Sequence, residues 1–127
     1  LGGLGLAECR ALGESIAAAI RGLDGEGGRP GVLLAASSDM SHYLPADAAA
    51  ALDRLALDRL LALDPDGLFT VVERRRISMC GVLPTTVALF AALALGATTA
   101  ELVGYTHSGV VSGDDDRVVG YAGAIVR

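Results

Sequence analysis

From Ile77 to Ala100 the chain runs 24 residues without a charged side chain. A run of that length either crosses a bilayer or lies inside a protein core, since about 20 apolar residues span a membrane. Its content favours the core. It holds Pro84, four threonines and two glycines, and its apolar residues are largely alanine. No Trp belt or basic flank stands at its far end to anchor it in lipid. We read it as a buried helix that opens at Pro84 and ends at Gly96, a residue type that commonly closes helices. The residues before it, Ile77-Ser78-Met79-Cys80-Gly81, read as a loop. No membrane partner is expected.

A buried helix needs other elements to bury it. The 127 residues suit one domain. The composition is 52% hydrophobic with mean hydropathy +0.50, which excludes a disordered chain. Cys9 and Cys80 are too few for a disulfide scaffold. A net charge of −5 and a pI near 4.8 argue against a nucleic-acid partner. All ten basic residues are arginine, which we read as composition bias. The chain starts at Leu1 and shows no signal-peptide pattern, so a cytoplasmic protein is expected, with a processed or partial start.

Periodicity supplies the remaining elements. Ala7 to Leu23 predicts an amphipathic helix with Leu12, Ile16, Ala19, Ile20 and Leu23 recurring at helical spacing. Asp24 to Pro30 is a turn cluster. Gly31 to Ala36 is a short apolar run that predicts a central strand buried on both faces. Pro45 to about Leu63 predicts a helix with Leu52, Leu55, Leu60 and Leu63 inward. Asp64-Pro65 predicts a cap and first turn for a short helix to about Arg75. Glu101 to Thr106 and Val118 to Val126 read as strands, with a hairpin-type turn over Ser112 to Asp116. Helices alternate with strands, so the class is α/β, a central sheet flanked by helices. Three strands and a first helix with no strand before it suggest one end of a larger layer, with an exposed sheet edge.

Sites in open α/β sheets form beyond the carboxyl ends of strands. Ser37 to Tyr43 follows one such end and offers three serine hydroxyls besides Asp39, His42 and a phenol. Asp39 and His42 are three apart, so one helical turn would bring them together. A carboxylate beside an imidazole orients it, raises its basicity or shares a metal with it. The competing reading is a simple helix cap. Cys80 precedes the Pro84 helix, and a thiol at a helix N-terminus favours thiolate, a nucleophile and metal ligand. The competing reading is a small packed hydrophobe, which is also our reading of Cys9. His107 reads as a loop histidine, Asp114 to Asp116 as a solvated turn, and Arg74 to Arg76 as a solvated helix end.

Four pieces of sequence carry a resemblance together that none carries alone. They are Leu33-Leu34-Ala35-Ala36-Ser37-Ser38-Asp39-Met40-Ser41-His42-Tyr43-Leu44-Pro45, Ser78-Met79-Cys80-Gly81-Val82-Leu83-Pro84, Tyr105-Thr106-His107-Ser108-Gly109-Val110-Val111-Ser112-Gly113-Asp114 and Val118-Val119-Gly120-Tyr121-Ala122. Their order and spacing resemble the Memo family, whose bacterial and archaeal members are called AmmeMemoRadiSam system protein B. The resemblance covers nearly the whole chain and implies a single Memo-like domain over residues 1–127, corresponding to the C-terminal portion of longer members and incomplete at its N-terminus.

The resemblance also implies a fold similar to the class III extradiol dioxygenases, with a non-haem metal pocket at the strand ends. Carried over residue by residue, Cys80 is the metal-binding thiolate. His42 and Asp39 are pocket residues, with His42 as metal ligand or acid/base and Asp39 as its orienter or a further ligand. The implied cofactor is iron(II), with copper a lesser candidate. The family's two N-terminal histidine motifs are missing from this chain, so the expected site is a partial one. Three functions follow: a metal-dependent, dioxygenase-like oxidoreductase of unspecified substrate, a non-catalytic scaffold that binds a small molecule or peptide, or a truncated domain that is catalytically silent. The family name implies association with radical-SAM and AMMECR1-type proteins. Self-association into a homo-oligomer is expected to cover the exposed edge.

Overall fold

The computed structural model describes residues 3–23 and 31–127. The turn expected over Asp24 to Pro30 lies outside them. The elements, in chain order, are α1 (Leu6–Gly22), β1 (His42–Leu44), α2 (Ala46–Leu61), α3 (Pro65–Arg75), α4 (Val82–Ala94), β2 (Ala100–His107), α5 (Gly109–Ser112) and β3 (Val118–Val126). The three strands form one antiparallel sheet in the order β1-β3-β2. The α/β class and the helix-flanked sheet are borne out. No helix among the described residues is long and apolar enough to cross a membrane.

The uncharged run becomes the Ile77–Gly81 loop, α4, and the start of β2. Helix α4 begins two residues before Pro84, which sits harmlessly in the first turn. It packs against α1, and the contact is closer than large side chains allow. The buried stripe of α1 is Cys9, Gly13 and Ala17, with Leu12, Ile16 and Ile20 only flanking it. Ala19 and Leu23, expected to face inward, are exposed. A Cβ on Gly13 would lie 2.6 Å from Phe90 Cβ and 2.7 Å from the Val87 carbonyl. Small residues let the two helices approach, and size prevailed over hydrophobicity. Cys9 is fully buried there, as packing requires.

Helix α2 buries Ala49, Asp53, Ala56 and Leu57 against the sheet, while Leu52, Leu55, Leu60 and Leu63 pack around that core. Helix α3 starts as predicted: Asp64 caps it by accepting the Gly67 N–H at 2.8 Å, and Pro65 fills the first turn. It ends at Arg76 in the left-handed conformation (φ 52°), with the Arg74 and Arg75 side chains in solvent. The antiparallel pairing of β2 with β3 confirms the hairpin, and its connection includes the one-turn helix α5.

The strand expected over Gly31 to Ala36 is absent. These residues are irregular and lie outside the sheet. A strand exists only through a ladder to a neighbour, and among the described residues no backbone hydrogen bond joins this run to another segment. The edge of β3 is taken instead by β1, three residues that sequence periodicity did not reveal. Leu33 is left 89% exposed.

Candidate metal centre

Two loops build the cluster, and the core holds both. In the loop before α4, Ile77 and Met79 are buried in the main core, so the alternate residues Ser78 and Cys80 face outward. In the segment before β1, Met40 and Ser41 are buried, which leaves Asp39 and His42 on either side at the surface of the site. Asp39, His42 and Cys80 come together, with one ligand atom from each lying within 4.8 Å of the others.

Ser78 joins the loops. Its hydroxyl accepts the His42 backbone N–H at 2.8 Å, and its carbonyl stands 2.7 Å from His42 Nδ1. A carbonyl only accepts, so Nδ1 carries the proton and the neutral ring presents its lone pair at Nε2. That arrangement, a backbone acceptor behind an imidazole, is the usual way a ligating histidine is aimed. Nε2 lies 3.7 Å from Asp39 Oδ2. This is too long for a hydrogen bond and suits two donors facing a shared centre. The ring is therefore oriented by Ser78, a residue that sequence reasoning did not single out. The side chains are 22% exposed for His42 and 50% for Asp39.

The thiol is held from the opposite side. The Asp39 backbone N–H donates to Cys80 Sγ at 3.3 Å. Ser38 Oγ accepts the Gly81 N–H at 2.8 Å and donates to the Asp39 carbonyl at 2.6 Å. Only glycine fits after Cys80. A Cβ there would lie 2.5 Å from both the Ser37 carbonyl oxygen and Ser38 Cβ. The Cys80-Gly81 pair thus lets the two loops touch.

The donor set fits a metal ion in type, and its atoms gather within 4.8 Å of one another. Ligand bonds of about 2.0–2.3 Å put two donors ~3.5 Å apart around a tetrahedral ion and ~4.4 Å apart only where they lie opposite each other, so the side chains must draw in by up to ~1 Å to share one ion. Thiolate and imidazole suit iron, copper or zinc better than magnesium or calcium.

His107 is not in this cluster. It ends β2, and its buried Nδ1 lies 3.8 Å from Asp115 Oδ1. Asp114 serves the turn, accepting the Asp116 N–H at 2.9 Å, and the Asp115 carbonyl accepts the Ala46 N–H at the start of α2.

Fold and site together define a helix-flanked α/β protein with an aspartate–histidine–cysteine cluster at the junction of two loops. Residues 6–125 match the model of the Memo-like protein family. The chain is 42% identical over 122 residues to a MEMO1 family protein of Methanopyrus kandleri, covering 96% of this chain and 41% of that protein. It is 46% identical over 96 residues to a MEMO1 family protein of Methanosarcina barkeri, covering 76% of this chain and 36% of that one. A MEMO1 family protein of Aquifex aeolicus is 40% identical over 93 residues, 73% of this chain and 35% of that protein. The chain belongs to the Memo family. It spans about two-fifths of the length of these curated relatives.

Proposed function

We propose that this chain contributes a thiolate, an imidazole and a carboxylate to a non-haem metal centre, with iron(II) as the resident ion and copper the lesser candidate. The observation that carries the reading is the 2.7 Å contact of His42 Nδ1 with the Ser78 carbonyl, which commits the proton to Nδ1 and leaves the Nε2 lone pair of the neutral ring beside Asp39, 3.7 Å from Oδ2. Iron(II) held there would supply Lewis-acid and redox chemistry at coordination positions that three side chains leave open. Cys80 and Asp39 would neutralise its charge. His42 Nε2 serves either as ligand or as proton acceptor, because both roles use the same lone pair. Dioxygenase-like oxidation of a small substrate is the activity this set supports. Cobalt(II) titration tests the centre: a thiolate-to-cobalt charge-transfer band should appear, vanish in Cys80→Ala and weaken in His42→Ala. A spectrum without that band refutes the reading.

A second reading is supported by an apolar groove of about 670 Å³ beside the site. It is lined by Leu33, Met40, Met79, Leu89 and Ile125, and it reaches Ser38 next to the cluster. Such a groove suits an apolar small molecule or peptide held without turnover. Oxygen uptake with catechols separates the two readings: consumption supports the oxidoreductase, and ligand binding without consumption supports the scaffold. We also propose that a second copy of the chain covers Val32, Leu33 and Leu34, whose exposure leaves apolar surface uncovered. A monomer by light scattering at micromolar concentration would refute self-association.

A further inference from the structure

One buried carboxylate lies outside the cluster yet grips the segment that carries two of its members. Asp53 is on the inward face of α2 and is fully buried. None of the ion pairs among the described residues includes it. A buried carboxylate with no cation persists only where donors satisfy its oxygens. Two neutral donors do so. The Ser41 backbone N–H donates to Oδ1 at 2.8 Å, and the Tyr105 hydroxyl of β2 donates to Oδ2 at 2.7 Å.

The sheet is shaped around this carboxylate. A Cβ on Gly120 of β3 would collide with Asp53 Oδ2 and stand 3.1 Å from Tyr105 Oη. Gly120 also pairs with the same segment on both sides. Its N–H donates to the Ser41 carbonyl at 2.9 Å, and its carbonyl accepts the Met40 N–H at 2.9 Å. Ser41 is therefore held at its N–H by Asp53 and at its carbonyl by Gly120. Asp39 and His42 flank it two residues before and one after.

We propose that Asp53, braced by Tyr105, is a positioning residue for the Asp39–His42–Cys80 cluster. The assignment rests on the metal-centre reading above. Asp53 touches no member of the cluster; it acts through the Ser41 N–H, which sets the backbone on which Asp39 and His42 are mounted. Burial, and then the Asp53 carboxylate itself, push the Tyr105 phenol well above the usual tyrosine range. The phenol therefore remains a proton donor to Asp53 throughout neutral and mildly alkaline solution.

The test uses two readouts at one fixed pH, on the intact chain and below each variant's unfolding temperature. The first is cobalt(II) affinity by the thiolate charge-transfer band. The second, made without metal, is the ¹⁵N signal of the His42 ring, which reports the Nδ1–H tautomer. Asp53→Ala should weaken cobalt binding by about tenfold or more, as removal of a support behind a metal ligand commonly does, and should shift the ring signal. Asp53→Asn keeps an oxygen for the Ser41 N–H, and its amide can donate to the tyrosine oxygen. It should rescue the ring signal and bring affinity back to within about threefold of the parent.

A folded Asp53→Ala variant with unchanged affinity and an unchanged ring signal would overturn the proposal, leaving Asp53 as a fold-stabilising residue only. If that variant does not fold, Tyr105→Phe decides: a shifted His42 ring supports the proposal and an unchanged one overturns it. If the parent chain binds no cobalt, the metal-centre reading falls, and the ring signals alone decide whether Asp53 positions His42.

Discussion

Replacing Gly81 with alanine is the most direct way to separate the two loops that form the cluster. The added methyl would lie 2.5 Å from the Ser37 carbonyl oxygen and 2.5 Å from Ser38 Cβ, where ordinary contact begins at 3.4 Å. The shortfall is roughly 1 Å, and one of the atoms in the way is backbone, so no side-chain rotation relieves it. Overpacking of this kind costs about 1–3 kcal/mol. The loop must move away, and the Gly81 N–H bond to Ser38 Oγ is strained with it. For a domain of this size the cost corresponds to a fall in Tm of roughly 3–15 °C. The same displacement moves Asp39 from Cys80 and widens a donor set that must already draw in to share one ion. Cobalt affinity should fall by about tenfold or more, equivalent to at least ~1.4 kcal/mol. Calorimetry and cobalt titration measure both effects. Gly104→Ala is the control: no atom lies within 4 Å of its added methyl, so stability should hold or rise by a few tenths of a kcal/mol. Parental Tm and affinity in Gly81→Ala would refute the close-approach argument.

Three further outcomes follow from the same geometry. Asp64→Ala removes the side-chain cap of α3 and should cost about 1 kcal/mol in urea unfolding; the exposed Arg59–Asp64 pair adds little to that. A thiol reagent should modify one cysteine in the folded chain and two after denaturation. Cys80 is exposed, whereas burial and then the nearby Glu8 carboxylate push the Cys9 thiol up, disfavouring its thiolate; two rapid equivalents in the folded state would contradict this. Tyr105 is held above its ordinary value of 10.0 by burial and Asp53, so its neutral form is the one folding favours. Its contribution is complete below about pH 10 and is lost as pH rises beyond that toward the folded pKa. Tyr105→Phe should remove this part of the alkaline decline, and an unchanged slope would refute the assignment.

The cluster was legible because its members sit in compact polar motifs bounded by apolar runs: Ser37 to Tyr43 after one, Cys80-Gly81 before another. The helix-period segments over α2, α3 and α4 and the hairpin of β2 and β3 were legible for the same reason, since their patterns are local. What was missed depends on distant neighbours. Asp53 reads as one more surface carboxylate on an alanine-rich helix, and nothing nearby in sequence shows that Ser41, Tyr105 and Gly120 converge on it. Ser78 aims the His42 ring through its carbonyl, which any residue carries, and its hydroxyl meets the His42 N–H from 36 residues away in sequence. The buried stripe of α1 was hidden because a close helix contact selects for small size. The Gly31 to Ala36 run has the composition of a buried strand and no partner among the described residues, so composition alone misplaced it. His42 and Asp39 come together across a bend leading into β1 instead of one turn of helix.

The proposed centre requires that Asp39, His42 and Cys80 of this chain bind one metal ion. Anaerobic iron(II) titration, with metal quantified after desalting, tests it most directly when run beside Cys80→Ala and His42→Ala. Near-stoichiometric iron is expected in the parent chain, with loss in both variants. Iron absent from the parent, or retained equally in the two variants, would contradict it.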